Sequence, residues 1–182
     1  MSFLKSLPQD AVLPDMFKKF PQTAKPLLEY HEALMRGSSP FSVAERELIA
    51  AYISGLNACS YCQGVHAAVA EKFGVSEGLL AALIEKVDEG NVDEKMKPVL
   101  AYVQKLTVTP SKMTQHDADA FFAAGWDETA LHDAVSVCAL FNFMNRLVEG
   151  IGIRADATYF SRSSERLSKH GYIGLVKMLS TE

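Results

Sequence analysis

The sequence predicts an all-α protein, and two observations carry that prediction. Apolar residues recur at helical spacing along most of the chain, as in Met96, Val99 and Val103. No stretch shows sustained alternation of apolar and polar residues or a hairpin turn signal. A chain of 182 residues suits a single domain (1–182), which we divide into an N-terminal extension (1–39), a core (40–152) and a C-terminal helical tail (153–182).

The first elements follow from prolines and capping residues. The extension is expected to be irregular, because prolines divide it into short pieces, with one helix from about Thr23 to Met35. Ser42 and Glu45 then match a capping box, which opens a helix that ends near Gly55.

The next helix carries two cysteines and a histidine. Asn57 is its expected N-cap, and Gly74 lies where a capping glycine is expected. With about 3.6 residues per turn, Cys59, Cys62 and His66 fall on one face. The two cysteines would lie in or near the first turn, where the helix macrodipole favours thiolates over thiols.

Further helices are expected near residues 76–90, 93–106, 114–124 and 129–150, with one or two more in the tail. The helix at 129–150 is apolar nearly all round, which favours burial on several sides, within a monomer core or between subunits. Its segment Asn142–Glu149 can be laid over Cys59–His66, a faint echo that is compatible with a duplicated two-helix unit.

Charge and composition restrict the partners and the compartment. The chain has 18 basic and 22 acidic residues and no basic block, so we expect no nucleic-acid or membrane partner. The N-terminal segment lacks an apolar h-region, and no apolar run reaches the roughly 18 residues that span a bilayer. We therefore expect the cytosol, where a C-x-x-C pair is more often catalytic or metal-binding than structural.

The spacing of these residues supports dithiol redox chemistry. Reduction of a peroxide needs a thiolate, a second thiol within reach and a proton source. His66 follows Cys62 by four residues and is a candidate base, which Glu47 on the preceding helix could orient. The helix dipole alone favours Cys59 as the attacking thiol, whereas the position of the histidine favours Cys62.

The spacing of Glu47, Cys59, Cys62 and His66 resembles the E-x11-C-x-x-C-x-x-x-H signature of AhpD-like alkylhydroperoxidases of the carboxymuconolactone decarboxylase superfamily. The chain length and a late Asn-x-x-Asn-Arg run are similar to the peroxidase-related branch. The resemblance implies an AhpD-like helical fold and a homo-oligomer, a trimer or hexamer built through dimers. It also implies a peroxide substrate, an external dithiol reductant and no cofactor or metal.

The resemblance also implies roles for the site residues. Cys62 would be the peroxidatic thiol, Cys59 the resolving thiol, and His66 with Glu47 the proton relay. Tyr61 stands where the founding peroxidases have a histidine. A tyrosine is a poor proton carrier at neutral pH, so we expect this difference to affect the rate and the choice of electron donor.

Two other readings remain open. The dithiol could belong to a redox-sensing or disulfide-exchange module, or the chain could be a structural oligomer without catalysis. The same four residues could also form a zinc ligand set, although structural zinc sites usually bring a second C-x-x-C or paired histidines. Cys138 is expected to be a small core residue, and Asn142, Asn145 and Arg146 are expected to tie helices or subunits together.

Overall fold

The computed structural model describes residues 2–87 and 90–179, and this part of the chain contains helices and turns but no strand. The all-α prediction is confirmed. The described helices are, in chain order, α1 (Leu13–Lys19), α2 (Pro21–Arg36), α3 (Val43–Leu56), α4 (Ser60–Lys72), α5 (Leu79–Glu85), α6 (Met96–Val108), α7 (Gln115–Ala123), α8 (Glu128–Ile151), α9 (Ala157–His170) and α10 (Ile173–Leu179).

The N-terminal extension is more helical than its prolines suggested. Pro14 and Pro21 lie in the first turns of α1 and α2, where the missing N–H would be unpaired in any case. Helix α2 packs against α3, α8 and α10 and buries Leu28 and Met35. This segment therefore forms one wall of the cavity described below.

Helix α3 lies at the centre of the fold. Its predicted capping box is present: the Glu45 N–H donates to Ser42 Oγ at 3.2 Å, and the Ser42 N–H donates to Glu45 Oε2 at 2.7 Å. Every residue from Arg46 to Ser54 is buried, because α4, α6 and α8 pack around this helix. Glu47 is consequently held inside the core rather than on a solvated face.

The start of α4 differs from the prediction. Asn57 is the C-cap of α3, and Cys59 is the N-cap of α4. Ala58 between them has a φ of +53°. A left-handed alanine costs about 1–2 kcal/mol, so backbone strain lies directly before the first cysteine. At the other end of the helix, Gly74 has a φ of +99°, as its predicted capping role requires.

Helix α8 is long and contributes many residues to the core. It packs against α3, α6 and α4, which agrees with the predicted burial on several sides, while Phe143 is 52% exposed. By length and composition this one helix of the described residues could cross a bilayer, which the sequence reading did not anticipate. The core helix of a soluble protein can have the same length and composition.

The C-terminal tail contains two helices that close the structure. Helix α9 packs along α4, and α10 packs against α2 and α9. The two windows of the sequence echo lie on α4 and α8, which contact each other. A duplicated unit stays a prediction, and so does the division of the domain into extension, core and tail.

Candidate active site

Cys59 and Cys62 lie about one helical turn apart at the start of α4, and their side chains hydrogen-bond to each other. Cys59 is the N-cap of α4, and its side chain makes no hydrogen bond to the helix backbone. Both thiols are free. The two sulfurs therefore meet, as the spacing predicted, at the end of a helix that favours negative charge.

The pKa values of the two thiols are shifted in opposite directions. The hydrogen bond from Cys62 lowers the pKa of Cys59, although burial opposes this effect. The pKa of Cys62 is raised well above its ordinary value, first by the hydrogen bond with Cys59 and then by burial. The first proton to leave this pair therefore places the negative charge on Cys59.

Two side chains of α8 affect the acidity of the thiols. Asn145 lowers the pKa of Cys62, whereas the carboxylate of Glu149 raises the pKa of Cys59. Glu149 also forms an ion pair with Arg154, with Oε2 and Nη2 2.6 Å apart. Sequence reasoning did not assign either residue to the site, although the echo of the C-x-x-C-x-x-x-H spacing in α8 was a signal for both.

The α8 asparagines also tie helices together, as predicted. Asn57 donates to the side-chain oxygens of Asn142 and Asn145 at 3.1 and 2.9 Å, and Asn145 donates to Ser54 Oγ at 3.0 Å. Cys138 is buried and receives a hydrogen bond from Asn142 at 3.4 Å, which fits its expected place in the core. This network fixes α8 against the start of the dithiol helix.

Glu47 connects the imidazole to a half-buried arginine. Its Oε2 lies 2.6 Å from His66 Nδ1, and its Oε1 lies 2.6 Å from Arg36 Nη1. Arg36 is the last residue of α2 and also stacks over Tyr172, with 5.2 Å from Cζ to the ring centroid. The predicted Glu47–His66 pair is therefore formed. Arg36 is a third residue of this hydrogen-bonded group, and no local sequence pattern indicated it.

The charge of Glu47 is stabilised by its partners. Burial raises the pKa of this carboxyl, but the proximity of His66 and Arg36 outweighs burial and holds the pKa below its ordinary value. Tyr172 OH lies 3.5 Å from Oε1, and burial together with this carboxylate raises the pKa of Tyr172 well above its ordinary value. An ionised Glu47 that bonds Nδ1 fixes the His66 tautomer, so that Nε2 remains for chemistry.

An apolar cavity of about 520 Å³, which includes its open mouth, adjoins these groups. Cys62 and His66 both line it, whereas Cys59 does not. Cys59 is 0% exposed and Cys62 is 3% exposed. No direct hydrogen bond joins His66 to Cys62 in the described residues. A proton that moves between them would pass through this shared space.

Two further polar side chains line the cavity. Tyr61 OH donates to Tyr159 OH at 2.6 Å, and burial raises the pKa of Tyr61 well above its ordinary value, so this hydroxyl stays protonated at neutral pH. His31 Nδ1 lies 2.8 Å from the Leu27 carbonyl, to which it donates, and burial lowers the pKa of His31 to about 4. His31 is neutral at pH 7 and offers Nε2 as an acceptor. The sequence did not indicate a role for His31, although its hydrogen-bond partner lies one turn earlier on the same helix.

A metal does not fit these residues as a ligand set. In residues 2–87 and 90–179, no three His, Cys, Asp or Glu side chains converge in a way that could hold an ion. Both carboxylate oxygens of Glu47 are paired, one with Arg36 and one with His66. The two cysteine side chains, both free thiols, hydrogen-bond to each other. The four-ligand zinc set considered from the sequence is therefore not assembled in this part of the chain.

Comparisons with known proteins match part of the chain to one family. Residues 21–104 match the carboxymuconolactone decarboxylase family, and this span contains Glu47, Cys59, Cys62 and His66. The chain is also similar to the uncharacterized protein YdfG of Bacillus subtilis (strain 168), with 27% identity over 110 residues, which cover 60% of this chain and 75% of YdfG.

Two crystal structures have the same fold. An uncharacterized peroxidase-related protein from Silicibacter sp. TM1040 has a TM-score of 0.76 and 22% identity, covering 81% of this chain and 78% of its own. An alkylhydroperoxidase AhpD core, an uncharacterized peroxidase-related protein from Ralstonia eutropha JMP134, has a TM-score of 0.75 and 21% identity, covering 80% and 77%. The expected AhpD-like helical fold is confirmed.

Proposed function

Because residues 21–104 match the carboxymuconolactone decarboxylase family and the fold is AhpD-like, we propose that the chain is a cytosolic, thiol-dependent peroxidase. Its substrates would be hydrogen peroxide or small organic hydroperoxides, and an external dithiol would regenerate it. The observation that carries the proposal is the meeting of Cys59 and Cys62 beside a cavity that His66 also lines. Family and fold relatives suggest an enzyme, and the site suggests this chemistry.

The proposed cycle begins at Cys62. Its thiolate attacks one peroxide oxygen, the O–O bond breaks, and the leaving alkoxide or hydroxide takes a proton from the relay of His66 and Glu47. Cys62 is then a sulfenic acid. The Cys59 sulfur then attacks the Cys62 sulfur, the S–O bond breaks, and the departing hydroxide takes the Cys59 proton, so that the disulfide and water form. A dithiol reduces the disulfide by exchange.

Access and nucleophilicity both favour Cys62 as the attacking thiol. Cys62 lines the cavity and Cys59 does not. A thiolate of higher pKa is the stronger nucleophile, and transfer of one proton across the S–H···S hydrogen bond generates it at Cys62. Cys59, with the lower pKa, is then suited to the resolving step.

A thiol titration tests the proposal. We expect one equivalent of hydrogen peroxide to remove two of the three thiols of the reduced protein, and a dithiol such as dihydrolipoamide to restore both with continuous peroxide consumption. Unchanged thiols in excess peroxide would refute the proposal. A slow reaction with a readily reversed disulfide would favour the redox-sensing or disulfide-exchange module instead.

We also propose that the protein is a homo-oligomer, a trimer or hexamer built through dimers. An apolar surface between α2 and α8 supports this assignment: Phe20, Phe143, Leu147 and Ile151 lie along it, and Phe143 is 52% exposed. A surface of this kind is typical of a contact between subunits.

Light scattering tests the assembly. We expect a mass of at least three chains for the unmodified protein and a smaller mass for Phe143→Asp, because a charge would be buried at the interface. Val108→Asp, at an exposed position outside this surface, is the matched control and should keep the mass. A monomeric unmodified protein would contradict the proposal.

A further inference from the structure

One face of α9 presents three polar side chains to the cavity, and two of them have a buried polar atom without a partner. Tyr159, Ser163 and Arg166 follow one another at helical spacing, and all three line the cavity beside Cys62 and His66. Ser163 is 1% exposed and its Oγ has no hydrogen-bond partner. The Arg166 Nε is likewise buried without a partner.

These unpaired groups are unusual in a folded protein. A buried donor or acceptor without a partner is energetically costly, and native structures contain few. Among the described residues only four buried side-chain nitrogen or oxygen atoms lack one, and two of the four lie on this face of α9. Their concentration in one cavity indicates that a bound molecule completes their hydrogen bonds.

The charge of Arg166 defines the chemistry of that molecule. No carboxylate of the described residues lies within ion-pair distance of Arg166, and the nearby Glu47 is held by Arg36 and His66. The rest of the cavity is mostly apolar, with Phe141, Leu175 and similar side chains in its wall. A guanidinium in such a setting suits a carboxylate, which it binds through two parallel N–H donors.

We propose that the substrate is an organic hydroperoxide that carries a carboxylate. Its apolar body occupies the cavity, its carboxylate is bound by Arg166 and the Ser163 hydroxyl, and its hydroperoxide group lies at Cys62. Cys62 and the two unpaired groups of α9 line the same cavity, so one bound molecule can contact all three. This inference rests on the proposed peroxidase function and specifies its substrate class.

The test is the oxidation of the fully reduced protein, with no reductant present, by two matched hydroperoxides. Cumene hydroperoxide and its para-carboxylate differ only by the anionic group. We expect the carboxylate to react about tenfold to a hundredfold faster, which is the effect of a charge-assisted hydrogen-bonded pair. Arg166→Gln should remove that preference, so that the ratio of the two oxidation rates falls to about one.

Further variants separate recognition from stability. Arg162→Gln changes the same charge on the exposed side of α9 and should keep the preference, while Arg166→Lys should restore part of it. The unreactive acid 4-isopropylbenzoate should slow the oxidation of the unmodified protein competitively, and it should do so much less in Arg166→Gln. Thermal unfolding verifies that each variant is folded.

The outcomes are distinct. Equal rates for both hydroperoxides in the unmodified protein would overturn the inference and leave the peroxidase function intact. The reductive step can be compared with two dithiols that differ only in a carboxylate or an amide group. If a carboxylate preference appears only in that step, Arg166 binds the reductant and not the peroxide, which would also overturn the inference. If neither hydroperoxide oxidises the thiols, the proposed function fails and the inference fails with it.

Discussion

Replacement of Glu47 by glutamine is expected to lower peroxide turnover by about 100- to 10,000-fold, the usual range for loss of acid–base catalysis. The carboxylate accepts from His66 Nδ1 and from Arg36 Nη1, both at 2.6 Å. An amide has one acceptor oxygen and one NH₂ group, so it satisfies only one of the two partners. The imidazole then loses its fixed tautomer, or the guanidinium loses its counter-charge.

The same substitution is expected to destabilise the fold by about 3 kcal/mol, because it leaves a largely desolvated arginine without its anion. The dependence on pH gives a second readout. The pKa of Glu47 is held below its ordinary value, so this carboxylate contributes stability above about pH 4.3, and that contribution is lost as the pH falls through the lower, folded-state pKa. Glu47→Gln should therefore lose less stability on acidification than the unmodified protein.

Steady-state peroxide consumption and urea unfolding at several pH values measure both effects. Glu45→Gln, two residues earlier on α3, is the matched control, since glutamine can also complete a capping box at this half-buried position. Undiminished turnover in a folded Glu47→Gln protein would remove Glu47 and its relay from the proposed cycle.

The residues that could be predicted are those that local spacing brings together. Cys59, Cys62 and His66 lie on or at the start of one helix, where separations of three and four residues place side chains side by side. Glu47 lies twelve positions before Cys59, on the helix that packs against α4, and the family signature supplied that link. The capping box at Ser42 is likewise a local pattern, and it is present.

The residues that were missed come from helices remote in sequence. Arg36 reaches Glu47 from α2, and Arg166 enters the cavity from α9, so their proximity depends on tertiary packing that no local spacing records. The predicted start of α4 was wrong for a related reason. Asn57 has the residue type of an N-cap, but it ends α3 and hydrogen-bonds to α8, and the turn at Ala58 shifts the cap to Cys59.

The second prediction with a large expected effect concerns which of the two thiols attacks the peroxide. The lower pKa favours Cys59, whereas access from the cavity favours Cys62. The pKa of Cys59 is lowered by its hydrogen bond with Cys62, which by itself would make Cys59 the attacking thiolate. The cavity, however, reaches Cys62 and not Cys59. A buried thiolate that peroxide cannot contact does not react, so we expect access to decide the assignment.

Cys62→Ser is therefore expected to lower the rate of reaction with peroxide by at least about a thousandfold, as loss of a nucleophile does. Cys59→Ser should react once at a rate near that of the unmodified protein and then stop as the Cys62 sulfenic acid, because no resolving thiol remains. Cys138→Ser, remote from the pair in the core, should cycle normally.

Single-turnover mixing with one equivalent of peroxide, followed by dimedone trapping and mass measurement, distinguishes the three variants. A dimedone adduct on Cys62 in Cys59→Ser, and no adduct in Cys62→Ser, is the expected result. The opposite pattern would mean that the thiol of lower pKa attacks and that the fold opens to admit peroxide to Cys59. In that case the charge placed on Cys59 by the Cys62 hydrogen bond would govern the reaction, and the cavity would serve the second, resolving step.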